Sequence, residues 1–151
     1  MILEHGDMWD VYGRTDLFLI TTNPVVNKSG ELVMGRGIAK QMKDAFPGSA
    51  KEFANMVAVG RSLGRPYVST MYYSPVFGTQ LVGYFMVKDH WAEEARPSII
   101  MHSTAALMDM ASRYGRIDLN FPGIGNGRLK REDVLPIIEQ LPDNVHVWEY
   151  K

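Results

Sequence analysis

Two segments of the chain predict strands buried inside a sheet, and they constrain the fold more than any other feature. Residues 16–22 read DLFLITT and are apolar on both faces, and residues 116–121 read RIDLNF. A strand with no polar face is typical of a parallel or mixed sheet that helices cover on both sides. The rest of the chain must therefore supply helices to two faces of one sheet.

Helical and strand patterns alternate along the chain. Apolar residues recur at helical spacing in four segments, at residues 37–46, 49–64, 97–114 and 134–141. Pro136 is compatible with the last helix only in its first turn. Further strands are predicted at residues 1–5, 67–73, 79–87 and 144–150, with a hairpin turn at residues 74–78. The pattern predicts an α/β three-layer sandwich, a mixed central sheet with helices on both faces, as one domain over residues 1–151.

Composition narrows the classes of protein to consider. The formal net charge of -1 argues against a general nucleic-acid or membrane binder. The absence of cysteine excludes disulfides and thiolate metal sites and fits a reducing compartment, so we expect a cytoplasmic protein. The histidines are scattered, no acidic cluster has ligand spacing, and we predict neither a metal nor a cofactor. The first residues lack the pattern of a signal peptide, and no apolar run approaches the length of a membrane span.

Two glycine-rich loops each follow a buried strand and precede a helix. The first is NPVVNKSGELVMGRGIAKQ, residues 23–41, and the second is FPGIGNGRL, residues 121–129. Backbone N–H groups at a helix N-terminus are unpaired, and glycines allow a phosphate to approach them closely. Both loops would leave the same edge of the sheet, where together they could hold a diphosphate. Neither loop matches a known nucleotide-binding fingerprint, so each alone is also compatible with a structural turn.

Five motifs in order along the chain resemble the macro domain family. They are GDMW at residues 6–9, ITTNPVVN at 20–27, VMGRGIAKQMKDAFP at 33–47, FMVKDHW at 85–91 and FPGIGNGRL. Within that family they are most similar to the branch of terminal ADP-ribose glycohydrolases, which includes antitoxins that remove ADP-ribose from DNA. The resemblance implies the macro fold and a monomeric protein. Its partner would be ADP-ribose or an ADP-ribosylated macromolecule, with ADP-ribosylated DNA as one candidate.

The resemblance also implies roles for individual residues. Asp7 would accept a hydrogen bond from the adenine amino group, with Met8 beside it, and Asn23 and Asn27 would lie near the distal ribose. Without a ligand role, Asp7 would cap a turn and the two asparagines would form turns. The remaining ligand-binding residues would form two walls around the diphosphate: Met34, Gly35, Arg36, Gly37 and Ile38 in one, and Gly123, Ile124, Gly125, Asn126 and Gly127 in the other.

Lys88 is the residue that the resemblance implies for catalysis. As a neutral amine it could attack the anomeric carbon of the distal ribose or hold the opened sugar as a Schiff base, and when protonated it could stabilise the departing group. Relatives usually carry an aspartate shortly after the second glycine loop, and here that position is Lys130. Four nearby residues could substitute for the missing acid: Asp89, His90, Glu132 and Asp133.

The function implied is that of an ADP-ribosyl hydrolase, which cleaves an N- or O-glycosidic linkage between ADP-ribose and a nucleic acid or protein. Two alternatives stay open at this stage. One is a module that binds ADP-ribose or a related nucleotide without turnover, and the other is a phosphatase that acts on ADP-ribose 1″-phosphate.

Overall fold

The computed structural model describes residues 1–70 and 74–150 and places the strands in one mixed sheet. The strands are β1 (Ile2–His5), β2 (Leu17–Thr22), β3 (Val68–Thr70), β4 (Val82–Met86), β5 (Ile117–Asn120) and β6 (Val145–Glu149). Their spatial order is β1-β6-β5-β2-β4-β3. Neighbouring strands are parallel except for the β3–β4 pair, which is antiparallel.

Helices cover both faces of this sheet. They are α1 (Gly37–Ala45), α2 (Ser49–Ser62), α3 (Pro97–Met110) and α4 (Arg131–Ile138). On β2, Phe18 and Ile20 point into a core shared with α1 and α2, whereas Leu17 and Leu19 point into a second core shared with α3 and α4. The predicted three-layer α/β sandwich is therefore confirmed, and the buried character of residues 16–22 follows from packing on both sides. None of the described helices is long and apolar enough to span a membrane.

The parallel arrangement brings three loops to one edge of the sheet. Strands β5, β2 and β4 are neighbours and run in the same direction. The segments that follow them, residues 121–130, 23–36 and 87–96, therefore leave the sheet side by side. Both predicted glycine-rich loops and Lys88 lie in these segments, so the topology alone brings them together.

One local prediction held in part and another was wrong. Residues 74–78 lie between the antiparallel strands β3 and β4, as predicted for a hairpin, but they contain a 3₁₀ turn, Pro75–Phe77, in which the Ser74 hydroxyl accepts from the Val76 N–H. Residues 71–73, the end of the predicted third strand, lie outside the described part of the chain. Pro136 is in the second turn of α4 because the helix already begins at Arg131. Its side chain is exposed, so water can reach the Glu132 carbonyl that loses its helical partner.

A buried carboxylate on β5 links this strand to its neighbour β6. Asp118 on β5 is fully buried and accepts hydrogen bonds from Arg116 Nε at 3.0 Å and from Trp148 Nε1 of β6 at 2.7 Å. Burial opposes its ionisation, but these hydrogen bonds and the Arg116 charge outweigh it, so the pKa of Asp118 lies below its ordinary value. The ionised side chain therefore stabilises the folded protein at pH values above the pKa that Asp118 has in the unfolded chain.

We expect Asp118→Asn to destabilise the protein by about 1–3 kcal/mol at neutral pH, because an amide places donors against the donors of Arg116 and Trp148. A carboxylate with a lowered folded pKa loses its contribution as the pH falls below about 4, so the difference between the two proteins should shrink there. Urea unfolding at several pH values measures this. An equal difference at pH 7 and pH 3 would contradict the assigned ionisation.

Candidate active site

A cavity of about 440 Å³ opens between the three loops at the carboxyl edge of the sheet. Its size is within the range of small-molecule sites in proteins. Residues from β2 and β5 form its floor, where the Asn120 side-chain amide donates to Thr21 Oγ1 at 2.8 Å and its oxygen accepts from the Thr21 N–H at 3.0 Å. This pair fixes the two central strands against each other directly beneath the opening.

The first loop is organised by the Asn23 side chain, which lines the cavity and is itself buried. Its amide donates to the Val33 carbonyl at 3.0 Å, and its oxygen accepts from the Val25 N–H at 2.8 Å. These bonds close the loop on itself before α1 begins. The N-terminus of α1 then faces the cavity with no side-chain cap from Arg36, so backbone N–H groups are available there for an anion.

The second loop needs its glycines partly for packing. A β-carbon on Gly127 would lie 2.9 Å from the Ala95 β-carbon, so this glycine allows the loop to contact the segment that carries Lys88. The Ala95 N–H donates to the Gly127 carbonyl at 3.0 Å across the same contact. Gly125 has a φ of 66° and open space around it, so it serves the turn.

The two glycine-rich loops touch each other across the cavity. A β-carbon on Gly37 would lie 3.1 Å from Asn126 Nδ2, and Gly37 and Asn126 both line the opening. Arg128 follows the second loop with a φ of 62°, a left-handed conformation that is costly for a residue with a β-carbon. The two loops therefore line one cavity from facing sides.

Lys88 is half-buried and lines the cavity immediately after β4. Its Nζ donates to the backbone carbonyl of Glu93 at 3.2 Å. Burial lowers the pKa of Lys88 below its ordinary value, the charge of Arg36 lowers it further, and Arg128 adds to this while Glu93 opposes it. A lysine in such surroundings carries more neutral amine near neutral pH than a solvated one.

No carboxylate lines the cavity in the part of the chain that the structure describes. Lys130, at the position where relatives usually carry an aspartate, is exposed and precedes α4. Asp89 is paired with Arg96 at 3.0 Å, and Glu132 and Asp133 lie in the exposed first turn of α4. His90 is exposed, and its Nδ1 accepts from the Ala92 N–H. The local charge is therefore cationic and suited to an anionic ligand.

The structure brings most of the predicted site residues together. Those that line the cavity are Asn23, Gly35, Arg36, Gly37, Ile38, Lys88, Gly123, Ile124, Asn126 and Gly127. The others do not line it: Asp7, Met8, Asn27, Met34 and Gly125.

Local contacts account for the predicted residues outside the cavity. Asp7 caps a 3₁₀ turn by accepting from the Trp9 N–H at 3.0 Å, beside the end of β1. Asn27 is exposed, and its side-chain oxygen accepts from the N–H groups of Ser29 and Glu31. Met8 and Met34 are buried in the core beneath α1 and α2.

Sequence reasoning missed several residues that line the cavity, namely Thr21, Thr22, Val33, Ala39, Val87, Trp91 and Asn120. Trp91 is the most informative of them. Its side chain is 44% exposed at the cavity, and its ring lies 5.3 Å from that of His90. A large exposed aromatic side chain at a cavity is suited to contact a ligand ring. Its position three residues after Lys88, at the end of FMVKDHW, was the available signal.

No family model and no curated protein matches the chain. Solved structures do: the macrodomain of Thermus aquaticus DarG is 25% identical, with a TM-score of 0.74 over 99% of this chain and 97% of that one. The macrodomain of Mycobacterium tuberculosis DarG is 24% identical, with a TM-score of 0.69 over the same shares. Thermosipho africanus DarTG, solved in complex with ADP-ribose, is 19% identical with a TM-score of 0.73, over 100% of this chain and 42% of that one. The chain therefore has the macrodomain fold and is similar over nearly its whole length to the macrodomains of DarG proteins.

Proposed function

We propose that this protein binds ADP-ribose in the cavity and hydrolyses the bond between ADP-ribose and a modified macromolecule, either a nucleic acid or a protein, with Lys88 as the catalytic residue. One observation carries the proposal: a half-buried lysine lies in a cationic cavity between two loops that present backbone groups. The similarity to a DarTG structure that contains ADP-ribose supports the choice of ligand.

The diphosphate would lie between the two glycine-rich loops. The N-terminus of α1 offers unpaired N–H groups and the positive end of the helix dipole on one side. The backbone of residues 123–127 faces it, and the contact between Gly37 and Asn126 defines how close the two walls come. Arg36 and Arg128 supply positive charge around the cavity, and guanidinium groups form strong hydrogen bonds to phosphate oxygens.

Lys88 would act at the anomeric carbon of the distal ribose. The neutral amine forms a carbon–nitrogen bond there while the glycosidic bond breaks; the bonding electrons leave with the macromolecule, which takes up the proton that the amine gives up. Water then forms a carbon–oxygen bond at the same carbon while the carbon–nitrogen bond breaks, one water proton returns to the lysine nitrogen, and free ADP-ribose and the neutral amine are restored. The lowered pKa of Lys88 supports this route, because only the neutral amine is nucleophilic.

A second candidate is an ADP-ribose-binding module without turnover. The observation that favours it is the cavity lining, which contains no carboxylate among the described residues to act as an acid or base. Binding needs only the cationic walls, whereas hydrolysis must proceed with Lys88 as the main reacting group.

We expect Lys88→Ala to lower the rate of ADP-ribose release by about 100-fold or more while binding of free ADP-ribose persists. Lys88→Arg should be equally inactive if the amine is the nucleophile, because arginine stays protonated. The wild-type rate should rise with pH until it passes the lowered pKa of Lys88. Single-turnover release from ADP-ribosylated DNA and protein substrates measures all three.

Lys51→Ala, which alters an exposed lysine on α2, is the matched control and should leave the rate unchanged. Full activity in Lys88→Ala would remove Lys88 from the mechanism. Activity retained in Lys88→Arg alone would replace the nucleophilic route with electrostatic stabilisation of the departing group. Binding without release from any substrate would establish the second candidate.

Two glycines provide a matched test of the walls. Gly37 and Gly64 have φ values of 58° and 70°, so alanine at either position costs a similar amount, about 1–2 kcal/mol, in a left-handed backbone. Only Gly37 lines the cavity and faces Asn126. We therefore expect both variants to lose similar stability, but only Gly37→Ala to weaken ADP-ribose binding by calorimetry. If ADP-ribose binding weakened equally in the two variants, the contact between Gly37 and Asn126 would not be part of the binding site.

A further inference from the structure

The loop that carries Lys88 is folded around the Glu93 carboxylate. One oxygen of this carboxylate accepts from the Asp89 N–H at 2.7 Å and from the His90 N–H at 3.1 Å. The other accepts from Arg96 Nη2 at 2.9 Å, and Arg96 Nη1 donates to the Asp89 carboxylate at 3.0 Å. Four residues of one short segment are thus joined through three side chains, those of Asp89, Glu93 and Arg96.

The same loop is closed at its base and is connected to the second glycine-rich loop. The Arg96 N–H donates to the Val87 carbonyl at 2.8 Å, and the Ala95 N–H donates to Gly127. The backbone carbonyl of Glu93 accepts from Lys88 Nζ. Glu93 therefore contacts the lysine through its backbone and holds the backbone beside the lysine through its side chain.

This network is poorly placed to stabilise the whole fold. The Arg96 side chain is 51% exposed, and its partners Asp89 and Glu93 also reach the solvent. Exposed ion pairs contribute little to global stability. Hydrogen bonds from backbone N–H groups to a carboxylate are stronger and directional, so their effect here is to fix one loop conformation.

We propose that Glu93 and Arg96 are positioning residues that hold the loop of residues 88–96 in the conformation that directs Lys88 Nζ to the reacting carbon. This inference rests on the proposed function of Lys88. The side chain of lysine is long and flexible, and reactions that depend on the alignment of two atoms lose rate steeply when one is displaced. Holding the carbonyl that accepts from Nζ restricts where the amine can lie.

The charges that face Lys88 give the test a second readout. Arg36 faces it from the start of α1 and Arg128 from the second glycine-rich loop, and both oppose its protonation. Glu93 favours protonation from within the same loop, where Asp89 is paired with Arg96 and His90 lies at the turn. Removal of the Glu93 charge should therefore lower the pKa of Lys88 further.

The experiment compares Glu93→Gln and Arg96→Lys with the wild type. We expect turnover to fall by about 10- to 100-fold in Glu93→Gln, with a smaller loss in Arg96→Lys, which keeps the charge but not the two-pronged contact. Binding of ADP-ribose should change little in either variant. Without substrate, NMR should show faster hydrogen exchange at the amides of Asp89 and His90, and in Glu93→Gln a lower pKa for Lys88 Nζ.

Asp44→Asn is the control, because it removes an exposed ion pair with Lys40 at the far end of α1 and should change none of these quantities. Unchanged amide exchange and an unchanged Lys88 pKa in Glu93→Gln would overturn the inference whatever the turnover. Altered exchange with full turnover would overturn the positioning role. Full turnover in Lys88→Ala would instead overturn the proposed function, so the two failures are distinguishable.

Discussion

The burial of β2 and β5 on both faces is the constraint on which the rest of the structure depends. Because helices must cover each side, the chain crosses from strand to strand through α1, α2, α3 and α4, and the central strands run in parallel. Parallel neighbours send their following segments to the same edge. The apolar packing of the centre thus brings together three polar loops that are far apart in the sequence, and the cavity forms where they meet.

The electrostatics of this edge follow from what the loops contain. They present unpaired N–H groups, Lys88 and two arginines, while the carboxylates nearby are engaged with other partners or face the solvent. Such surroundings stabilise an anion. Burial is the largest cause of the lowered pKa of Lys88, and the charges of Arg36 and Arg128 lower this pKa further while Glu93 opposes them. The positive charge that favours an anionic ligand therefore also contributes to the lowered pKa of Lys88.

The sequence predicted the layers of the fold and the walls of the site for physical reasons that are local. The segment of residues 16–22, which is apolar on both faces, predicted a buried central strand, and glycines between a strand and a helix predicted the two loops. The sequence could not predict contacts between distant segments. Examples are the packing of Gly127 on Ala95 and the contact of Asn120 with Thr21 in the floor of the cavity. The sequence pattern around Trp91 does not distinguish a residue that lines a cavity from one that is buried in the core. Pro136 was misplaced because the start of α4 is set by residues with no clear capping signal.

The central claim is that the two facing loops hold the diphosphate of ADP-ribose so that the distal ribose reaches Lys88. A crystal structure of the protein with ADP-ribose tests it most directly. The account predicts phosphate oxygens within hydrogen-bonding distance of backbone N–H groups at residues 35–38 and 123–127, with Lys88 Nζ next to the distal anomeric carbon. ADP-ribose bound elsewhere, or bound in the cavity with its distal ribose directed away from Lys88, would contradict it.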